Sequence, residues 1–264
     1  MSQFLQSMGQ SSSARLKAAL ARRSLEAVIA EALATPHPRS PGQFGGTFDL
    51  IAEIKPRSPA EGGLGTSDLV ERAGAYQDGG AGMLSVLTEP EAFGGSLELL
   101  QSVAAEARVP VLRKDFLVDP YQVFEARAAG ADGVLVIARI LTDDTMAAIL
   151  DAVAQAGMFA LLEAFDASDL KRVSSLTEGG GDLLLGVNCR DLETLRTEPS
   201  IHAELAGGLP DRPASVAESG ILAPADIRRV AGLGYHGALV GSALMRADDP
   251  ASMVAAMLAA GRRR

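Results

Sequence analysis

Residues 111–163 read VLRKDFLVDPYQVFEARAAGADGVLVIARILTDDTMAAILDAVAQAGMFALLE. Three short apolar runs stand out, Val111–Asp115, Gly133–Ile137 and Phe159–Glu163. Runs of this length between turn-forming residues predict strands. Two longer segments, Tyr121–Ala129 and Asp143–Ala156, separate them; their composition favours helix, with Thr142 or Asp143 as the start cap. A helical crossover of this length returns the chain to a parallel strand.

The rhythm continues in both directions. Upstream lie Phe48–Lys55 and Met83–Thr88, with a helix predicted over Leu69–Asp78; downstream lie Leu184–Asn188, Ala214–Glu218 and Ala238–Gly241. Successive strands start about 27 residues apart. Eight such units predict an α/β fold of the (β/α)8 TIM-barrel type, which needs roughly 250 residues. An open, doubly wound sheet is the alternative, but such sheets usually stop at five or six strands. The whole chain, 1–264, reads as a single domain: an N-terminal extension 1–47, a barrel core 48–246, and a C-terminal helix and tail 247–264. Within the extension, the Ser/Gln-rich residues 1–13 are expected to fray, 14–35 to form a helix, and His37–Gly46 a loop.

Hydrophobic residues make up 47% of the chain, ample for one large core. A net charge of −9 argues against a nucleic-acid partner, which wants a basic face, but not against a local anion site. The single cysteine, Cys189, excludes an internal disulfide and a cysteine metal cage. The three histidines, His37, His202 and His236, are too scattered for a ligand cluster, so no metal is expected. Met1–Ser13 has neither the basic start nor the apolar run of a signal peptide, and no apolar stretch reaches the ~18 residues of a membrane span. A cytoplasmic protein without membrane contact is expected.

Chemistry concentrates at the strand ends. The first strand ends in Ala52-Glu53-Ile54-Lys55, and alternation puts Glu53 and Lys55 on one face, into the barrel mouth. Lys114, Glu163, Asn188 with Arg190, and Glu218 with Ser219 stand at four other strand ends. In a barrel these ends surround one cavity on the C-terminal face. Any one such charge is more often a solvated rim residue or a salt bridge than part of a site, but five strands ending this way point to a site. Lysines among carboxylates separate pKa values, as acid–base catalysis requires. Ser219-Gly220 and Gly241-Ser242 follow the last two strands, where barrels often hold a phosphate on backbone N–H groups. Cys189, alternating with Asn188, is expected to face the helices.

These residues resemble a known family. Ala52-Glu53-Ile54-Lys55 with Ser58-Pro59, Leu84–Thr88 with Phe93-Gly94-Gly95-Ser96, and Lys114-Asp115-Phe116 with Asp119–Gln122 are similar to blocks of the indole-3-glycerol-phosphate synthases. So are Gly186–Leu192, Glu218–Ile221 and Val240–Met245, all in order between about 48 and 246. The resemblance implies a decarboxylating lyase of tryptophan biosynthesis, without a cofactor. It would cyclise 1-(2-carboxyphenylamino)-1-deoxyribulose 5-phosphate to indole-3-glycerol phosphate. It also implies Lys114 as general acid and Glu163 as base, with Glu53, Lys55, Asn188, Glu218 and Ser219 completing the catalytic set. Arg190 and Asn188 suit the carboxylate and sugar hydroxyls. Ser58, Gly220, Gly241 and Ser242 suit the phosphate, and Phe93, Phe116 and Leu135 would wall the aromatic ring. The expected partner is the phosphorylated substrate alone, bound by a monomer or homodimer.

Departures are few. Where the family often reads Lys-Lys-Ala-Ser-Pro-Ser-Lys-Gly, this chain has Lys55-Pro56-Arg57-Ser58-Pro59-Ala60-Glu61-Gly62. Glu61 replaces a cation and is expected to weaken phosphate binding unless it faces solvent or Arg57 supplies the missing charge. The segment before residue 47 matches the family only weakly. A phosphoribosylanthranilate isomerase is the competing barrel enzyme, but it would be expected to carry a cysteine where Glu53 stands. A non-catalytic barrel would not need the full acid–base set.

Overall fold

The computed structural model describes residues 3–41, 44, 46–59, 62–63, 68–176, 182–191 and 194–262. Eight parallel strands close into a barrel: β1 Asp49–Ile54, β2 Met83–Leu87, β3 Val111–Lys114, β4 Gly133–Ile137, β5 Phe159–Ala164, β6 Leu183–Asn188, β7 Ala214–Glu218 and β8 Gly237–Val240. Each pairs with its sequence neighbours, and β1 pairs with β8 to complete the ring, with Ile51 opposite Leu239. Every expected strand is present. Lys55, Thr88, Asp115 and Gly241 fall just past the strand ends, where the backbone leaves the ladder to form the mouth.

Helices α3 Leu69–Asp78, α4 Leu97–Glu106, α5 Tyr121–Ala128, α6 Asp143–Gln155, α7 Ala167–Leu176, α8 Ser200–Ala206 and α9 Pro224–Gly232 follow the first seven strands. The four-residue α10 Ser242–Met245 and then α11 Pro250–Arg262 follow β8. Thr142 is the cap of α6, accepting from Thr145 N. Strand alternation divides the apolar residues into two clusters. One, with Leu50, Ala52, Val86, Val134 and Leu162, lies between sheet and helices. The other, with Ile51, Met83, Leu112, Phe159, Leu161 and Leu239, fills the barrel interior and floors the mouth.

The N-terminal segment corrects the expectation. Residues 3–13 do not fray but belong to α1, Gln3–Arg22, and a second helix, α2 Leu25–Ala34, follows a break at Ser24. Ser24 is extended and accepts from Ala27 N, so the single helix expected over 14–35 is two. Leu5 and Met8, one turn apart, are buried and join the interior cluster, so α1 is held by packing across the mouth rather than by propensity. The following loop is strapped to the opposite end of the barrel, where Arg39 N donates to Asp132 Oδ1. No helix among the described residues is long and apolar enough to cross a membrane.

Candidate active site

A cavity of about 490 Å³ opens at the C-terminal end of the strands. Fourteen of the fifteen expected site residues line it: Glu53, Lys55, Lys114, Glu163, Asn188 and Ser219, with Ser58, Phe93, Phe116, Leu135, Arg190, Gly220, Gly241 and Ser242. The exception is Glu218, expected against the ligand but fully buried and reaching the cavity through Lys114. Glycine makes the room for this layer. A Cβ on Gly186 would lie 2.1 Å from Glu218 Oε1, and one on Gly241 would lie 2.2 Å from Glu53 Oε1. The inward positions of β6 and the end of β8 are thus left empty for carboxylates.

The charged floor is a connected network. Lys55 Nζ lies 2.9 Å from Glu53 Oε1, and Lys114 Nζ lies 3.4 Å from Glu53 Oε2 and 3.2 Å from Glu218 Oε2. The Asn188 amide donates to Glu163 Oε1, while Arg190 N donates to Asn188 Oδ1 at 3.0 Å. Register explains the grouping: Asn188 pairs with Glu218, and Leu87 with Lys114. Glu163 Oε2 and Glu218 Oε1 are buried and accept no hydrogen bond from the described residues.

Burial and charge pull these groups apart. Burial would raise the Glu53 carboxyl, but Lys55 and Lys114 overcome it and hold the pKa at about 2. Burial would lower Lys114, but the carboxylates of Glu218, Glu53 and Glu163 hold its ammonium well above the usual lysine value. Burial pushes Glu163 up, against the opposing pull of Lys114 and the Asn188 amide. Glu218 is pushed up by burial and by the charge of Glu163. The floor therefore holds a fixed anion, a fixed cation and two carboxyls pushed toward their neutral forms.

One wall is aromatic. Phe116 lies 6.3 Å from Phe93 and 6.1 Å, edge-on, from Phe4, centroid to centroid. Phe4 and Leu5 of α1 form part of the lining, as do Leu195, Arg196 and Thr197 of the loop after β6. Sequence reasoning missed both segments, although Leu5 and Met8 at helical spacing within a polar run were a signal for the first. The Arg190 guanidinium donates to Leu195 O at 2.7 Å. At the opposite corner Ser219 and Gly220 both take left-handed backbone angles, with φ of 66° and 65°. Ser58 is buried in a short hairpin, opposite Gly62.

Cys189 is buried and outside the lining, as its parity predicts, and burial raises its thiol to about 11. Arg57 donates to Pro90 O at 3.2 Å and is outside the lining. Glu61 lies outside the described residues. Among the described residues no group of three or more His, Cys, Asp or Glu is placed to hold a metal.

Comparison with known proteins adds independent findings. Residues 6–257 match the family model described as indole-3-glycerol phosphate synthase, so the match extends well before residue 47, further than the sequence suggested. The indole-3-glycerol phosphate synthase of Mycobacterium leprae is 42% identical over 246 residues, covering 90% of this chain and 87% of that protein. That of Mycobacterium tuberculosis is 41% identical with the same coverage. In fold, the chain resembles 3-hexulose-6-phosphate synthase from Salmonella typhimurium, with a TM-score of 0.65 at 20% identity, covering 81% of this chain and 98% of that one. It also resembles thiamine phosphate pyrophosphorylase from Pyrococcus furiosus, with a TM-score of 0.59 at 17% identity, covering 83% of this chain and 96% of that one.

Proposed function

Because the chain belongs to the indole-3-glycerol phosphate synthase family, whose members close an indole ring with loss of CO2 and water, we propose how its residues divide that reaction. In the substrate, 1-(2-carboxyphenylamino)-1-deoxyribulose 5-phosphate, the ring carbon bearing the carboxylate attacks the ketone carbon. The ketone oxygen gains negative charge as the C–C bond forms. Lys114 is the acid that protonates it: its ammonium is kept charged by Glu218 and Glu53 and lies at the cavity floor. The C–CO2 bond then breaks and its electrons restore the aromatic ring.

Dehydration completes the product. The new hydroxyl leaves as water with a proton from the lysine pair, Lys55 or Lys114. Glu163 takes the proton whose loss forms the second ring double bond. Its raised affinity for protons and its unpartnered Oε2 suit it to a base, and Asn188 orients its other oxygen. Glu218 and Glu53 hold Lys114 charged. Arg190 offers a planar fork to the substrate carboxylate. Ser58, Ser219, Gly220, Gly241 and Ser242 take the phosphate, and Phe93, Phe116 and Leu135 flank the ring. On the same reading the chain works in the cytoplasm as one barrel domain, monomeric or dimeric, on this phosphorylated substrate.

The observation that carries the reading is the position of Lys114 Nζ between two carboxylates at the cavity floor. The test is fluorescence-monitored turnover of the purified substrate, since the indole product emits where the substrate does not. Absence of product with folded protein overturns the reading.

A further inference from the structure

Behind the Ser219–Gly220 corner lies a histidine that the reaction does not use. Glu218 O, the carbonyl just before that corner, accepts from Cys189 N at 3.2 Å and lies 3.1 Å from His202 Nε2. A carbonyl can only accept, so the ring proton is on Nε2. Burial lowers the imidazole pKa, and the ring stays neutral with that single proton. His202 is fully buried on α8, outside the cavity lining. It is itself held: the Tyr235 hydroxyl donates to His202 O at 3.0 Å, and the two rings meet edge-on at 5.6 Å. Ser219 and Gly220, just beyond the carbonyl, are both left-handed and both line the cavity. A serine held at such angles persists only where its surroundings fix it.

We propose that His202 is a positioning residue for the substrate phosphate: anchoring Glu218 O from outside the ring, it sets the Ser219–Gly220 turn that takes the anion. Turns of this kind gather successive backbone N–H groups into an anion cradle, whose aim depends on the peptide that leads into it. That peptide joins Glu218 to Ser219, and His202 bonds its oxygen. Gly220 completes the fit. A Cβ there would lie 2.9 Å from Cys189 Sγ and 3.3 Å from Pro199 Cγ, so the turn is packed against its backing. The Glu218 carboxylate is held separately, by Lys114 at 3.2 Å, so the acid–base set does not depend on His202. The inference rests on the cavity being the substrate site.

Two measurements on the intact chain test it. His202→Leu is expected to raise KM about tenfold with kcat within about threefold, because phosphate binding is uniform through the reaction. The same variant should weaken binding of inorganic phosphate, titrated by calorimetry without substrate, by a similar factor. His202→Gln, whose amide N–H reaches about as far as Nε2, should restore both to within about twofold of wild type; His202→Asn, one bond shorter, should not. A residue that merely stabilises the fold would lower Tm and leave KM and phosphate affinity alone, and that outcome overturns the proposal. If His202→Leu does not fold, the two amides carry the test, and equal KM values for His202→Gln and His202→Asn overturn it. A wild-type chain that turns over no substrate overturns the reading of the cavity; a phosphate affinity indifferent to His202 overturns this inference alone.

Discussion

At the scale of single residues, the site works by contrast between neighbours of like chemistry. Glu53 and Glu163 are both buried glutamates, yet one is held ionised by two lysines and the other is pushed toward its neutral form. The acid role of Lys114 predicts that Lys114→Met lowers kcat by about 10²–10⁴-fold at unchanged circular dichroism. A base must be ionised to act, so kcat should fall as pH drops through the raised value of Glu163, above the usual ~4.3 of glutamate. The Asn188 amide favours the ionised form, so removing it in Asn188→Ala should move that acid limb to higher pH. A pH–rate profile displaced toward acid would contradict the assignment. Gly241→Ala tests the packing beneath the charges. Its Cβ would lie 2.2 Å from Glu53 Oε1 and 3.0 Å from Lys55 Nζ, and the forced displacement should reduce kcat about 10²-fold without unfolding.

At the scale of elements, caps and periodicity carried most of the message. Thr142 accepts from Thr145 N at the start of α6 and lies outside the cavity lining. Thr142→Ala should destabilise the chain by about 1 kcal/mol, lowering Tm by ~2–4 °C with kcat unchanged, as calorimetry beside the fluorescence assay would show. The strands were legible because runs such as GVLVI at 133–137 are apolar on both faces, as a parallel sheet between two apolar layers requires. The strand-end charges were legible because strand parity turns position into direction. What was hidden has a common cause. The Ser/Gln run of α1 has little amphipathic signal of its own, and its helix exists because Leu5 and Met8 find the barrel interior. Glu218 could be placed on its strand, but its depth depends on Gly186 across the pair, a relation between distant residues that alternation does not encode.

At the scale of the whole molecule, the ring must be both closed and covered. Helix α11 packs against β1, α3 and α9, burying Val254, Met257 and Leu258, and Arg262 Nε donates to Phe48 O at 3.2 Å. Burying three such side chains contributes roughly 5–9 kcal/mol, comparable to the entire ~5–15 kcal/mol of a typical domain. Deleting residues 250–262 should therefore leave little folded protein at 37 °C, read as loss of the cooperative melting transition. The closure between β1 and β8 also has a consequence in time. Ile51 waits for Leu239, which emerges from the ribosome 188 residues later. At ~5–20 residues per second that is about 10–40 s, during which β1 can find β2 but one of its edges has no partner. An open strand edge is a template for the wrong neighbour, so the growing chain is most exposed to mispairing with other copies just before the ring can shut.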